Sequence, residues 1–179
     1  RVLSPLQAVV MASVFNVLGV LLTGTAVATT IGTGIVKPEA IGLPVIAAAM
    51  LSIVIWSSIA ARFGLPTSES HALVAGLTGA GLVTVGPQVL LWSGWQKVFI
   101  GMGFSTVVGF SLAFIVMLAL YWTLRRWTPS TVRTVFGRAQ ILSAAFMAFS
   151  HGGNDGQKFM GVFTLALVLG GVLPQFQVP

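Results

Sequence analysis

Charge is what this sequence has least of. Of 179 residues, nine are Lys or Arg and three are Asp or Glu, where a soluble domain of this length carries roughly 45, at about 25% charged. So few ionised groups cannot cover a core with a wetted surface, and apolar residues make up 56% of the chain. An ordinary cytosolic enzyme, a disordered tail and a nucleic-acid-binding module are excluded on this ground. The net charge of +6 records missing acids rather than a basic patch, since nine dispersed cations are not the footprint of a protein that grips a nucleic-acid backbone. Cysteine is absent, which removes disulfides, thiolate metal ligands and thiol redox chemistry. No cleavable signal segment is expected in this stretch: it shows no n-region, and the first apolar run is too long for one. The chain opens on Arg1 rather than Met, as expected of an internal fragment of a longer protein.

What the sequence does contain is a series of runs free of Asp, Glu, Lys and Arg: 2–36, 40–61, 70–96, 98–124 and 159–179. A membrane-spanning helix needs about 20 mostly apolar residues, so 98–124, 41–61 and 5–33 each read as a crossing. The predicted class is all-α and polytopic. Basic residues orient it. Segment 125–138 holds Arg125, Arg126, Arg133 and Arg138 without an acid and reads as a cytoplasmic loop. Counting back, 98–124 runs inward and 87–97 lies outside. If 66–85 crosses once, Arg62 falls inside, Lys37 and Glu39 outside, and Arg1 inside. Lys37 and Lys97 then stand on the less favoured side. A re-entrant 66–85, rich in Gly, Ser and Thr, would change the parity. Trp92 and Trp95 before the long span, and Tyr121, Trp122 and Trp127 after it, resemble aromatic belts. Gly101, Ser105 and Gly109 recur every four residues, as do Ala72, Gly76 and Ala80, a spacing that lets helices approach closely in lipid.

Two polar segments interrupt this background. In Leu65-Pro66-Thr67-Ser68-Glu69-Ser70-His71, the proline and the hydroxyls after it predict a helix start near Ser68. Such a start aims free N–H groups and a positive dipole end at what precedes it, with Ser68 and Ser70 as added donors, which is anion-binding chemistry. A capped helix at a membrane surface, supported by Glu69, is the plainer alternative. In Ser150-His151-Gly152-Gly153-Asn154-Asp155-Gly156-Gln157-Lys158, an ionisable Asp155 sits inside an apolar stretch, where charge is costly and marks function by default. Gly152, Gly153 and Gly156 are expected to break the helix there, and a break at membrane depth must line a cavity or be buried in protein. Helix ends opened in this way bind ions. Asp155 is the natural ligand for a cation or a proton, Asn154 and Gln157 are neutral donors and acceptors, and Lys158 can pair with Asp155 or meet an anion. A solvated turn between two helices is the alternative. Ser150, His151 and Asp155 lack the arrangement of a hydrolytic site, and no H-E-x-x-H metal pattern occurs, so an enzyme is not expected.

The second segment, continued through Phe159-Met160-Gly161, resembles the second signature of the inorganic phosphate transporter family, S-H-G-x-N-D-A-Q-K-x-M-G, with Gly156 where Ala is usual. The stretch 66–73 is similar to that family's P-V-S-T-T-H-A-L segment, departing at Thr67, Glu69 and Ser70, and 24–35 also looks like family sequence. The first G-A-N-D motif and the second Ser/Thr segment have no counterpart here. The resemblance implies a secondary transporter with two inverted repeats around one central site, moving inorganic phosphate with Na⁺ or H⁺ and without a cofactor. On that footing 1–138 is the rest of the first repeat with its basic loop at about 125–138, and 139–179 opens the second. It further implies phosphate contacts from Ser68, Ser70, Asn154, Asp155, Gln157 and Lys158, and cation coupling through Asp155 (as Na⁺ ligand), Asn154 and Glu69. Glu69 replaces a Thr beside an anion, so it is expected to face away or to join the coupling. The partners are phosphate, the coupling cation and the lipid bilayer, not nucleic acid, with room for a homodimer. The expected location is a prokaryotic inner membrane. A carrier of another oxyanion, such as sulfate, would keep the same motifs.

Overall fold

The charge-free runs form helices wherever the backbone must satisfy its own hydrogen bonds, as lipid requires. This computed structural model describes residues 2–178, so the placement of Arg1 lies outside the described residues. Among the described residues six α-helices follow one another: α1 (Pro5–Leu22), α2 (Ala26–Gly34), α3 (Leu43–Phe63), α4 (Glu69–Val85), α5 (Trp92–Leu124) and α6 (Pro129–Leu169). Their starts are written locally. Ser4 and Gln7 form a reciprocal capping box ahead of Pro5, and Thr128 accepts from the Thr131 N–H ahead of Pro129. Gly64 ends α3 at φ 66°, a left-handed position that suits glycine. Among the described residues the one strand-like feature is an isolated antiparallel bridge between Val36 and Leu90. It ties the end of α2 to the start of α5 through Lys37 N–H to Val89 O at 2.8 Å and Leu91 N–H to Ile35 O at 3.0 Å.

The all-α, polytopic class is as expected: α1, α3 and α5 are each long and apolar enough to cross a membrane. Three details differ. Run 5–33 is not one helix but α1 and α2, parted at Thr23, Gly24 and Thr25, with Thr23 extended. The basic segment 125–138 is mostly not loop, because Arg133 and Arg138 already belong to α6. The third difference matters most: α6 passes unbroken through Gly152, Gly153 and Gly156 for 41 residues. These glycines serve close approach instead of a break. A Cβ on Gly152 would strike the backbone of Asn16, one on Gly153 would meet Thr23, one on Gly156 would meet Val20, and one on Gly161 would strike the carbonyl of Ala28. Gly19 of α1 answers them, lying against the Phe149 carbonyl and the Gly153 N–H. Small residues are the means by which helices pack in lipid, where no hydrophobic force draws them together.

These contacts also give direction. Positions along α1 and α2 rise with positions along α6, so α1 and α6 run parallel. A single crossing by 66–85 requires the same sense, although α4, at 17 residues or about 25 Å, is shorter than the ~30 Å hydrocarbon core. Helices α3 and α4 form a hairpin, with Gly76 set closely on Ala49 and Ser52. The hairpin's own Leu73 and Leu77 are fully buried with Ile35, Val36, Val89 and Leu165, which joins the end of α2, α4 and α6 into one core. By contrast α5 packs near its start, where Gly94 closes on Gly34, and its Gly101 and Gly109 face open space.

Candidate functional site

The two polar segments come together where α4 begins against the middle of α6. Ser68 caps α4 in extended conformation, its Oγ accepting from His71 N–H at 3.4 Å, so the helix starts where the sequence placed it. Within the first turn, Ser70 faces α6. On α6 the polar residues His151, Asp155 and Lys158 are spaced to share a face, while the neighbouring glycines turn to α1 and α2.

That face carries a bridged ion pair. Lys158 Nζ donates to Asp155 Oδ1 at 2.7 Å, with side-chain exposures of 16% and 28%. Such an N–H···O⁻ contact is charge-assisted and only partly screened by solvent. Lys158 Nζ also donates to Ser70 Oγ, and Ser70 Oγ stands 3.5 Å from Asp155 Oδ1. His151 Nε2 lies 3.5 Å from the other oxygen, Asp155 Oδ2. One carboxylate is thus shared by an ammonium, a hydroxyl and an imidazole drawn from two helices.

The other expected residues are distributed around this cluster. Gln157 stands apart from it, only 4% exposed. Its Oε1 accepts from Val27 N–H at 3.1 Å and its Nε2 donates to Thr23 Oγ1 at 2.9 Å. Thr25 makes no side-chain cap, so Gln157 satisfies one of the free N–H groups that open α2 and fastens the break between α1 and α2. Asn154 is exposed, donates to Ser150 O at 2.9 Å, and lines a groove of about 330 Å³ with Thr23, Gly24 and Gln157. Ser68 lines a larger groove of about 710 Å³ between α3 and α4, with Trp56, Thr67 and His71. Glu69 turns to α3, where Ser57 Oγ lies 2.8 and 2.7 Å from its two oxygens, and no hydrogen bond joins it to Asp155 among the described residues. Ser57 and Thr23 are the residues the motif reading missed. Neither carries a signal in a sequence this rich in Ser and Thr.

Gln157→Leu should therefore act on stability. It leaves a half-buried Val27 N–H without a partner and removes the Thr23 contact, which together cost about 1–3 kcal/mol. A fall of several degrees in the melting temperature of the full-length protein in detergent is expected, and an unchanged melting curve would contradict this role.

The fold is that of a polytopic helical membrane protein with a partly buried ion pair on α6 against the start of α4. The chain belongs to the phosphate transporter family, whose profile matches residues 1–177. It is an integral membrane protein of a transporter family, not an enzyme family. It is 40% identical over its whole length to a protein of Rhizobium meliloti (strain 1021) named "Probable low-affinity inorganic phosphate transporter", of which it covers 54%. A protein of the same name from Bacillus subtilis (strain 168) is 34% identical over 94% of the chain, which covers 51% of that relative. The chain thus spans about half the length of these curated relatives. Among solved structures, "The sodium-dependent phosphate transporter" superposes with a TM-score of 0.75 at 21% identity, over 100% of this chain and 63% of that one, which establishes the shared fold.

Proposed function

We propose that the full-length protein carries inorganic phosphate across a prokaryotic cytoplasmic membrane together with a cation, Na⁺ or H⁺, and that α6 opens the second of two repeats around the site. The observation that carries this reading is the shared carboxylate: Asp155 held by Lys158 at 2.7 Å, with Ser70 of α4 beside both. Family membership and the names of the relatives support the substrate.

The cluster accounts for coupling. A bare Asp155 would repel phosphate, and Lys158 neutralises it from within the protein. A cation arriving at Asp155, with Asn154 nearby on the same helix, takes over that neutralisation. The Lys158 ammonium is then free to turn with the hydroxyls of Ser70 and Ser68 toward an anion at the α4 start. Cation and phosphate would favour each other by a few kcal/mol, as charges a few Å apart do in a site of reduced dielectric. Gln157 holds the neighbouring helix break in place. Glu69, bound by Ser57, is kept from adding a second negative charge.

Uptake of radiolabelled phosphate by the full-length protein in proteoliposomes, with and without a Na⁺ gradient at fixed pH, tests the reading. Na⁺-driven uptake that excess sulfate does not block is the expected result. A response to a pH gradient alone would assign the coupling to a proton on the same carboxylate. No phosphate uptake under either gradient would overturn phosphate as substrate, and sulfate would be tried next.

A further inference from the structure

The transport reading leaves the turn between α5 and α6 unused, and its chemistry is specific. Arg125 and Arg126 form the turn, Arg133 and Arg138 stand on the first turns of α6, and all four are exposed. The chain's three acids, Glu39, Glu69 and Asp155, lie elsewhere, and among the described residues none of these arginines makes a salt bridge. Beside them a groove of about 360 Å³ opens between the helices, lined by Met117, Leu120, Leu124, Val132 and Phe136, with Tyr121 and Arg125 as its polar members. The Arg125 guanidinium lies 5.4 Å from the centre of the Trp122 ring, a contact that holds it at the mouth of the groove. Tyr121, Trp122 and Trp127 are exposed around it, the aromatic setting of a membrane–water interface.

We propose that this turn is a binding site for an anionic phospholipid: the headgroup phosphate on Arg125, Arg126 and Arg133, and an acyl chain in the groove. The arginine fork matches phosphate oxygens bidentately, and basic pockets at the cytoplasmic ends of membrane helices attract anionic headgroups. Free phosphate would use the arginines and leave the apolar groove empty. The groove calls for a ligand with an anionic head joined to a long apolar tail.

The test is native mass spectrometry of the full-length protein released from micelles containing equal amounts of phosphatidylglycerol and phosphatidylcholine. Retention of phosphatidylglycerol at least tenfold over phosphatidylcholine is expected, undisturbed by millimolar inorganic phosphate. The triple change Arg125→Gln, Arg126→Gln and Arg133→Gln should bring the two lipids to parity, and the matching Lys variants should keep part of the preference. Leu120→Trp, which fills the groove and leaves every arginine in place, should lower phosphatidylglycerol retention severalfold. Parity in the unaltered protein, a preference that survives the Gln changes, or unchanged retention in Leu120→Trp would overturn the proposal. Displacement of the lipid by inorganic phosphate would do so as well, by assigning the arginines to the free ion.

Discussion

Asp155→Asn in the full-length protein is expected to abolish cation-dependent phosphate uptake, leaving a rate at least about 100-fold lower under a saturating cation gradient. Asparagine keeps the size of the side chain and its ability to accept from Lys158 and Ser70. What it loses is the charge that a cation would neutralise. In the native arrangement Lys158, 2.7 Å from Asp155, and the incoming cation compete for one carboxylate, and that competition is the proposed coupling. Asparagine leaves nothing to compete for: phosphate meets Lys158 with or without the cation, and its binding ceases to depend on the cation. Tracer uptake in proteoliposomes reads the loss. Phosphate protection against heat unfolding, measured with and without the cation, reads the uncoupling separately. Wild-type uptake in this variant would sink the coupling role of Asp155.

The second large effect is expected at a residue with no functional group. Gly152→Val should cost about 3 kcal/mol or more, because its Cβ would collide with the backbone of Asn16, which cannot swing aside as a side chain would. Gly101→Val, on a stretch of α5 that faces open space, is the control and should leave stability almost unchanged. Melting temperature and monodispersity in detergent compare the two. Equal tolerance at both positions would mean that α1 and α6 are not held by close backbone contact.

That contrast also explains what the sequence made legible. The two readings are inverted: Gly101 belongs to a four-residue repeat that suggests close packing, and Gly152 to a polar motif that suggests a helix break. Glycine is useful for two reasons, backbone freedom and the absence of a Cβ, and a single sequence does not say which applies. The decision belongs to Asn16, Gly19 and Val20, more than 130 residues away in the chain. The motif glycines therefore read as a helix break, while the actual break at Thr23, Gly24 and Thr25 lay hidden inside a continuous apolar run. Ser68 was legible because capping is local: proline, hydroxyl and helix start lie within a few residues. Glu69 facing away was legible as chemistry, since a carboxylate beside an anion is unfavourable, although its partner Ser57 was not. The resemblance assigns Gln157 to the anion because it belongs to the same motif as Asp155 and Lys158. On a helix those neighbours point elsewhere, and Gln157 turns to α2.

The unbroken course of α6 sets a depth gauge. At 41 residues the helix is about 60 Å long, twice the ~30 Å of a hydrocarbon core, and Asp155 lies about 40 Å along it from Pro129. With the arginine turn at one surface, Asp155 comes within the core only if α6 tilts strongly or its first turns stand in the headgroup layer, and in either case the carboxylate lies toward the opposite face. The route of ions from that opposite face is then the short one, and the route from the arginine side the long one. Lipids that change the tilt of α6 should therefore change the two access rates unequally.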